Sequence, residues 1–307
     1  MPTYGVGNVI REMRTRLGYT QEELAFGICT TGTLSRIENG NEIISRRVFE
    51  ALCSRMPGMH HVFFSFDTKK EMQRSKLCKQ TLLYLALRKL PESKAAMKQY
   101  KQLADEQNPF CIQFQLYTEA IYQAIVKERE EEILPKLKNA LKITMPDYQT
   151  RLHSIRKPLM LTYDELYILS NMGIAYAKLQ DTELAFHILY LLKGYIETQD
   201  LDVEESMTAY PMILGNFAWL LELQGRFEEA VKQCDIGIHI CDTTGRYTVL
   251  PHLLCIKAWC LTASGCPETA KKSRQQAKAI LDISDNYKGY GSFQKFYKAR
   301  EPIYVTF

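Results

Sequence analysis

The chain has 307 residues, of which 46% are hydrophobic, enough for packed cores in two domains or in one small domain and a repeat array. The formal net charge is only +4, so bulk electrostatics does not by itself indicate a nucleic-acid partner. The nine cysteines are scattered without a Cys-x-x-Cys pair, and no apolar run of about 18 residues could span a bilayer. The sequence therefore predicts a cytoplasmic protein with reduced thiols, no membrane partner, no metal site and no cofactor.

A first helix is expected over residues 5–17, where apolar residues recur at helical spacing and Gly18 follows. Thr20 and Glu23 then have the spacing of a capping box, in which each side chain satisfies an unpaired amide of the first turn. A second helix should begin at Gln21. We expect it to end at Gly27, where the missing side chain would permit a close helix crossing.

Thr30 is a suitable cap for a third helix, in which Leu34 and Ile37 are three residues apart and should face inward. The outer side then carries small or hydrogen-bonding residues, namely Thr31, Gly32, Thr33, Ser35 and Arg36. Two short helices joined by a tight turn, with polar side chains outside, are typical of a DNA-reading unit. Ser45 should cap a fourth helix, and at its start Arg46 and Arg47 could contact phosphates.

This segment resembles the lambda-repressor-like, or XRE-type, helix-turn-helix family over roughly residues 5–56. The matching residues are Arg14, Gly18, the run from Thr20 to Ala25 and the run from Leu34 to Gly40. The resemblance implies a structural ion pair between Arg14 and Glu38. It also implies DNA contacts by the start of the second helix and the outer face of the third, so the predicted DNA-binding residues are Gln21, Thr30, Thr31, Thr33, Ser35, Arg36, Asn39, Arg46 and Arg47.

The sequence divides into a DNA-binding domain at residues 1–58, a linker at 59–66 and a helical repeat domain at 67–307. After residue 67 there is almost no strand signal, and helical patterns alternate with short breaks. Ala185, Ala230 and Ala270 recur at intervals of 45 and 40 residues. The second part resembles tetratricopeptide repeats, and the predicted fold is all-α: a small helix-turn-helix domain followed by a superhelical array of helical hairpins.

Asn171 and Asn216 occupy the same place in two successive repeats, and Trp219 and Trp259 are equivalent to each other. In tetratricopeptide proteins the first helix of each pair lines the concave surface, so the resemblance implies that these asparagines hold the backbone of an extended peptide. The predicted peptide-binding residues are Tyr167, Asn171, Ile174, Asn216, Trp219 and Trp259. The alternative, that they are ordinary consensus asparagines and interior tryptophans, stays open at this point.

The combination of the two parts is similar to the peptide-responsive transcription regulators of the Rgg and PlcR type. That resemblance implies a homodimer formed through the repeats, which binds duplex DNA and is switched by a short signalling peptide, as in quorum sensing. In the alternative function the repeats bind a protein partner instead of a peptide. No catalytic constellation is visible, so the protein is not expected to be an enzyme.

Overall fold

The computed structural model describes residues 6–56, 69–126, 129–152, 161–198, 203–283 and 293–304. Within these ranges every regular element is a helix, which confirms the all-α prediction. None of these helices is both long and apolar enough to cross a bilayer. The predicted linker at residues 59–66 lies outside the described residues, and the domain boundaries stay predictions.

Four short helices form an N-terminal head: α1 (Val6–Arg16), α2 (Gln21–Ala25), α3 (Thr31–Glu38) and α4 (Arg46–Arg55). The predicted capping box is present at the start of α2. There the Thr20 hydroxyl accepts the N–H of Glu23 at 3.1 Å, and the Glu23 carboxylate accepts the N–H of Thr20 at 2.9 Å. Thr30 and Ser45 cap the next two helices through their hydroxyls, also as predicted.

One side of each head helix is apolar, and the four sides meet in a single core. Ile10, Leu24, Leu34 and Leu52 are fully buried there. Phe110, from the C-terminal domain, is 2% exposed and belongs to the same cluster. The core of the head is thus completed by a residue of the repeats.

The rest of the described chain forms further helices: α5 (Lys69–Ala86), α6 (Leu90–Leu103), α7 (Pro109–Val126), α8 (Glu130–Thr144), α9 (Tyr148–Leu152), α10 (Tyr163–Lys178), α11 (Thr182–Thr198), α12 (Val203–Leu223), α13 (Phe227–Thr244), α14 (Leu250–Ala263), α15 (Pro267–Ile283) and α16 (Phe293–Ala299). They pack mainly in sequential pairs: α5 with α6, α7 with α8, α10 with α11, α12 with α13, and α14 with α15. Among the first helices of the last three pairs, α12 also contacts both α10 and α14.

Glycines allow these helices to approach closely. A Cβ placed on Gly173 of α10 would lie 2.9 Å from Leu189 of α11, and one on Gly237 of α13 would lie 3.0 Å from Leu253 of α14. Both separations are shorter than a normal carbon–carbon contact of about 3.5–4.0 Å. Small residues at these crossings therefore permit the spacing of the paired helices.

The expected role of Gly27 is corrected by the structure. Its φ is +71°, and an added Cβ would lie 1.6 Å from the backbone oxygen of Thr144, at the end of α8. The close approach is therefore between the head and the repeats rather than between two head helices. Its turn conformation and its contact with a backbone oxygen both require a glycine.

After α16 the chain continues without helix through residues 300–304, which we call the tail. Pro302, Ile303 and Tyr304 are buried, and the last two belong to the main core of the repeats. The tail lies along the surface formed by α10, α12 and α14, which we call the groove, and hydrogen-bonds to α10 and α12.

Candidate functional site

The outer face of α3 carries the residues that were predicted to read bases. Thr31 and Gly32 are exposed, while Thr33 and Ser35 are partly buried. The side chain of Arg36 is 56% exposed, its Nε donates to Glu42 Oε2 at 2.7 Å, and its Nη2 donates to Thr33 Oγ1 at 3.2 Å. An exposed surface pair of this kind contributes little to stability, so the guanidinium can exchange Glu42 for another acceptor at low cost.

Arg14 and Glu38 form the ion pair that the family resemblance implied. The two hydrogen bonds run from Arg14 Nε to Glu38 Oε1 at 2.6 Å and from Nη2 to Oε2 at 3.0 Å, and the Glu38 side chain is 1% exposed. Gln21 joins the pair, because its Nε2 donates to Glu38 Oε2 at 2.7 Å. This carboxylate therefore ties α1, α2 and α3 together, and it also orients the side chain that begins α2.

The other predicted DNA-binding residues of the head have local partners. Thr30 Oγ1 accepts the N–H of Thr33 at 3.0 Å, so this hydroxyl serves as the helix cap. Asn39 Nδ2 donates to the backbone oxygen of Ser35 at 2.8 Å, and Arg46 pairs with Glu50 one turn further along α4. Contact of these residues with DNA stays a prediction.

The predicted phosphate contact by Arg47 is corrected by the structure. Its guanidinium donates to the hydroxyl of Tyr100, lies 3.5 Å from Asp164 Oδ2 and is 5.6 Å from the ring centre of Phe114. All three partners belong to the repeats. Arg47 is the second residue of α4, and packing places its side chain in the contact between the head and the repeats.

In the C-terminal domain, Asn216 makes the contact expected of a peptide-holding asparagine, and its partner is the chain's own tail. Its Nδ2 donates to the backbone oxygen of Ile303 at 2.9 Å, and its Oδ1 accepts the N–H of Ile303 at 2.8 Å. Asn216 is 0% exposed. A primary amide can donate and accept at once, so it holds both backbone groups of one residue, whatever its side chain.

Asn171, one repeat earlier, holds the next residue of the tail. Its Nδ2 donates to the backbone oxygen of Tyr304 at 3.0 Å and to that of Tyr167 at 2.8 Å. Its buried Oδ1 has no hydrogen-bond partner in the described part of the chain. Because an unpaired buried acceptor costs about 1–3 kcal/mol, this oxygen is a favourable place for one more backbone N–H.

Both tryptophans contact Arg300 at the start of the tail. Trp219 Nε1 donates to the backbone oxygen of Arg300 at 3.0 Å, and the Arg300 guanidinium lies 5.6 Å from the ring centre of Trp259. Arg300 Nη1 also donates to Glu222 Oε1 at 3.1 Å. Burial raises the pKa of Glu222, and the positive charge of Arg300 opposes that shift.

The two remaining predicted groove residues lie close to this site. Tyr167 is partly buried and packs against the repeat core, and its backbone oxygen is one of the partners of Asn171. Ile174 is 1% exposed and belongs to that core. Its contact with the side chains of a bound peptide stays a prediction.

Two charged residues that sequence reasoning missed hold the other side chains of the tail. Arg88, in the irregular segment after α5, pairs with Glu301, and Lys178 of α10 donates to the hydroxyl of Tyr304 and pairs with Glu130 at 2.6 Å. Burial raises the pKa of Tyr304, opposed by the Lys178 ammonium. A proline followed by β-branched and aromatic residues after the last helix was the available signal for a buried extended segment.

Burial keeps four of the cysteine thiols in the protonated form. Burial raises the pKa of Cys53, Cys78, Cys241 and Cys260 to about 12, so these thiols are protonated at neutral pH. The pKa values of Cys78 and Cys260 are raised although a nearby arginine opposes the rise in each case. Catalysis by a cysteine needs the thiolate, and burial disfavours that form here.

Comparison with known proteins supports the reading of the head. Residues 10–57 match the family model for the helix-turn-helix domain. The head is an XRE-type helix-turn-helix domain. No curated protein matches the sequence.

The fold of this helix-turn-helix protein is similar to those of solved regulators along nearly the whole chain. PlcR of Bacillus thuringiensis, in complex with the peptide PapR7 and DNA, is 19% identical with a TM-score of 0.59, over 96% of this chain and 98% of PlcR. Its apo form is 18% identical with a TM-score of 0.56, over 96% and 97%. ComR from Streptococcus suis is 16% identical with a TM-score of 0.51, over 96% and 94%. At these identities the likeness establishes a shared fold.

Proposed function

We propose that this protein is a sequence-specific DNA-binding transcription regulator whose activity is switched by a short peptide bound in the groove. The observation that supports this most directly is the pairing of Asn216 with both backbone groups of Ile303. The groove thus already holds a backbone segment of the chain itself, through hydrogen bonds that do not involve the side chain of Ile303. A signalling peptide has the same backbone N–H and C=O groups, so the groove could hold it in the same way.

The DNA-binding half of the proposal rests on the helix-turn-helix head. In such domains the second helix of the motif enters the major groove and its first residues contact base edges. Here that helix is α3, with Thr31, Gly32 and Thr33 at its start and Arg36 one turn later. The charge of residues 1–58, seven arginines against six glutamates, is nearly balanced, so affinity must come from positioned contacts.

We also propose that the protein acts in the cytoplasm as a homodimer formed through the repeats. One helix-turn-helix unit contacts only a few base pairs, whereas two units related by a dyad double the contacts and the discrimination. The operator should then be an imperfect inverted repeat whose half-site centres are about 34–36 Å, or a multiple of that distance, apart. PlcR and the peptide PapR7 occur together with DNA in a solved complex, which is a precedent for a regulator of this fold that binds both partners.

The test begins with the full-length protein purified from its native cells. Acid release followed by mass spectrometry should identify a short peptide, and a duplex selected from random sequence should supply the operator. Calorimetry with the synthetic peptide and electrophoretic shifts of the operator then measure both equilibria. Peptide and operator should alter each other's affinity by the same factor, about 5–150-fold, because the coupling is reciprocal.

The groove residues are tested with Asn171→Ala and a matched surface control. Asn139 lies exposed on α8, so Asn139→Ala should leave peptide affinity unchanged, whereas Asn171→Ala should weaken it. Because the tail bonds to the same amide, both variants are also compared in protein that carries Ile303→Pro; if Asn171→Ala leaves peptide affinity unchanged there, the peptide site is elsewhere on the repeats. If the purified protein instead retains a folded protein and no peptide affects operator binding, the partner-binding alternative is correct.

A further inference from the structure

The tail makes the contacts that a foreign peptide would need in the groove. Asn216 pairs with both backbone groups of Ile303, Asn171 donates to the backbone oxygen of Tyr304, and Trp219 donates to that of Arg300. These bonds all go to the backbone of the tail. They would therefore form equally well with an extended segment of another sequence.

Side-chain contacts give the tail its own chemical signature. Glu301 pairs with Arg88, and the Tyr304 hydroxyl accepts a hydrogen bond from Lys178. Between them Ile303 packs against Gly215 of α12, where an added Cβ would lie only 2.5 Å from Ile303 Cδ1. The signature is an acidic residue, a proline, an aliphatic residue and an aromatic hydroxyl in order.

The tail contacts residues of the groove that are far from it in the sequence. Glu301 and its partner Arg88 are 213 residues apart, and Tyr304 and Lys178 are 126 residues apart. Ile303 and Tyr304 are 2% and 8% exposed, so they fill the groove rather than rest on its rim. Asn216 is fully buried, and its Nδ2 donates both to the backbone oxygen of Ile303 and to Ser170 Oγ at 3.2 Å. Both N–H groups of this amide are then in use, so a second backbone could not pair with it in the same way while Ile303 occupies it.

We propose that residues 300–304 are a resident ligand of the groove, and that an external peptide binds by displacing them. This inference rests on the proposed function, since it assigns the occupant that a signalling peptide must replace. Such a peptide should carry the signature of the tail, with a carboxylate to reach Arg88 and an aromatic hydroxyl to reach Lys178. A peptide that lacks these groups would lose the ion pair with Arg88 and the hydrogen bond from Lys178, and the groove would discriminate against it.

Competition with a tethered segment lowers the apparent affinity of any external peptide. A tethered ligand has an effective concentration of the order of millimolar, and apparent affinity falls in proportion to the fraction of open groove. A tail bound for 99% of the time would thus weaken external binding by about 100-fold. Releasing the tail from the groove should therefore make external binding tighter by the same factor of about 100.

The experiment uses a fluorescent pentapeptide with the sequence of residues 300–304, acetylated and amidated at its ends, and the full-length protein. In Ile303→Pro the tail loses the N–H that Asn216 Oδ1 accepts, whereas the control Ile303→Val keeps it. Fluorescence anisotropy should give at least about ten-fold tighter binding by Ile303→Pro than by the wild type, with Ile303→Val near the wild type. The two tryptophans, which both contact Arg300, should emit at longer wavelength in the proline variant.

Equal affinity of the wild type and a folded Ile303→Pro variant would overturn the proposal, whether both bind tightly or neither binds. If the proline variant does not fold, Glu301→Lys replaces it. A lysine at this position of the tail would be repelled by Arg88, which should release the tail without altering the core. Glu301→Asp is then the control. Equal peptide affinity of the wild type and Glu301→Lys would overturn the proposal in the same way. Operator shifts with and without the pentapeptide separate the two proposals, since tight peptide binding with unchanged DNA affinity would support the resident ligand and contradict the peptide switch.

Discussion

Arg55 and Glu165 are 110 residues apart and form a buried ion pair that joins the head to the repeats. Arg55 Nη2 is 3.0 Å from Glu165 Oε1, and the side chains are 1% and 0% exposed. Arg55 also donates to the backbone oxygen of Phe26, and Thr144 donates to Glu165 Oε1 at 2.7 Å. The pair thus connects α4, the turn after α2, the end of α8 and the start of α10.

Replacing one member of this pair should destabilise the protein strongly. Glu165→Gln preserves the capping box with Thr162, because glutamine can also accept the cap N–H, but it leaves the guanidinium buried without a counter-charge. We expect a loss of about 3–5 kcal/mol in the free energy of unfolding, measured by urea denaturation.

The double variant Arg55→Met with Glu165→Gln is the control for that loss. Removing both charges should recover a large part of the stability, because the desolvation penalty disappears with the pair. Additive losses in the double-mutant cycle would mean that the two side chains contribute independently, contrary to the geometry.

Gly27 and Gly18 provide a matched test of the contact between the head and the repeats. Both have positive φ, +71° and +76°, but a Cβ on Gly27 would overlap the backbone oxygen of Thr144, whereas one on Gly18 would meet no described atom within 4 Å. Gly18→Ala should therefore cost only the left-handed backbone strain, about 1–2 kcal/mol. Gly27→Ala should cost clearly more and separate the head from the repeats, which limited proteolysis would detect. Equal losses in thermal unfolding would contradict this account.

His252 should make stability depend on pH. It is 7% exposed, and burial, with a contribution from the Arg88 charge, lowers its pKa from 6.5 to about 3. Because the unfolded chain takes up this proton near pH 6.5 and the folded chain does not, stability is complete above pH 6.5 and falls as pH drops toward 3. Between pH 7.5 and pH 5 the loss from this group should be about 2 kcal/mol.

Urea denaturation of His252→Gln at the same two pH values isolates that contribution. The variant should lose less stability on acidification than the wild type. His239 is exposed on α13, so His239→Gln is the control for the histidine-to-glutamine change at the surface. Identical pH dependence in the wild type and His252→Gln would assign the acid sensitivity to other groups.

Arg36 should contribute to base recognition. If its exposed guanidinium leaves Glu42 for a base in the major groove, Arg36→Ala should weaken binding of the selected operator by about 1–3 kcal/mol and relax the preference at one base pair. Arg46→Ala should instead weaken all sequences similarly, if it meets phosphate. Electrophoretic shifts with specific and scrambled duplexes distinguish these outcomes, and unchanged specificity of the Arg36 variant would remove it from the reading face.

The sequence by itself determined the helical fold class, the helices of the head and the position of their caps. These features depend on residues within about four positions of one another, such as Thr20 with Glu23, so their signals survive without tertiary information. The repeat equivalence of Asn171 and Asn216 was likewise visible as a period. The Arg14–Glu38 pair came from the family resemblance rather than from spacing.

Tertiary structure alone decided which surfaces these residues meet. Arg47 has the local environment of a phosphate contact, yet packing directs it to Tyr100 and Asp164. Nothing near Gly27 in the sequence indicates Thr144, and nothing near Asn216 indicates Ile303, 87 residues away. Contacts at such separations depend on how whole helices are oriented, and no local sequence pattern encodes that orientation. As a result, the chain's own tail lies where the sequence predicted a foreign peptide.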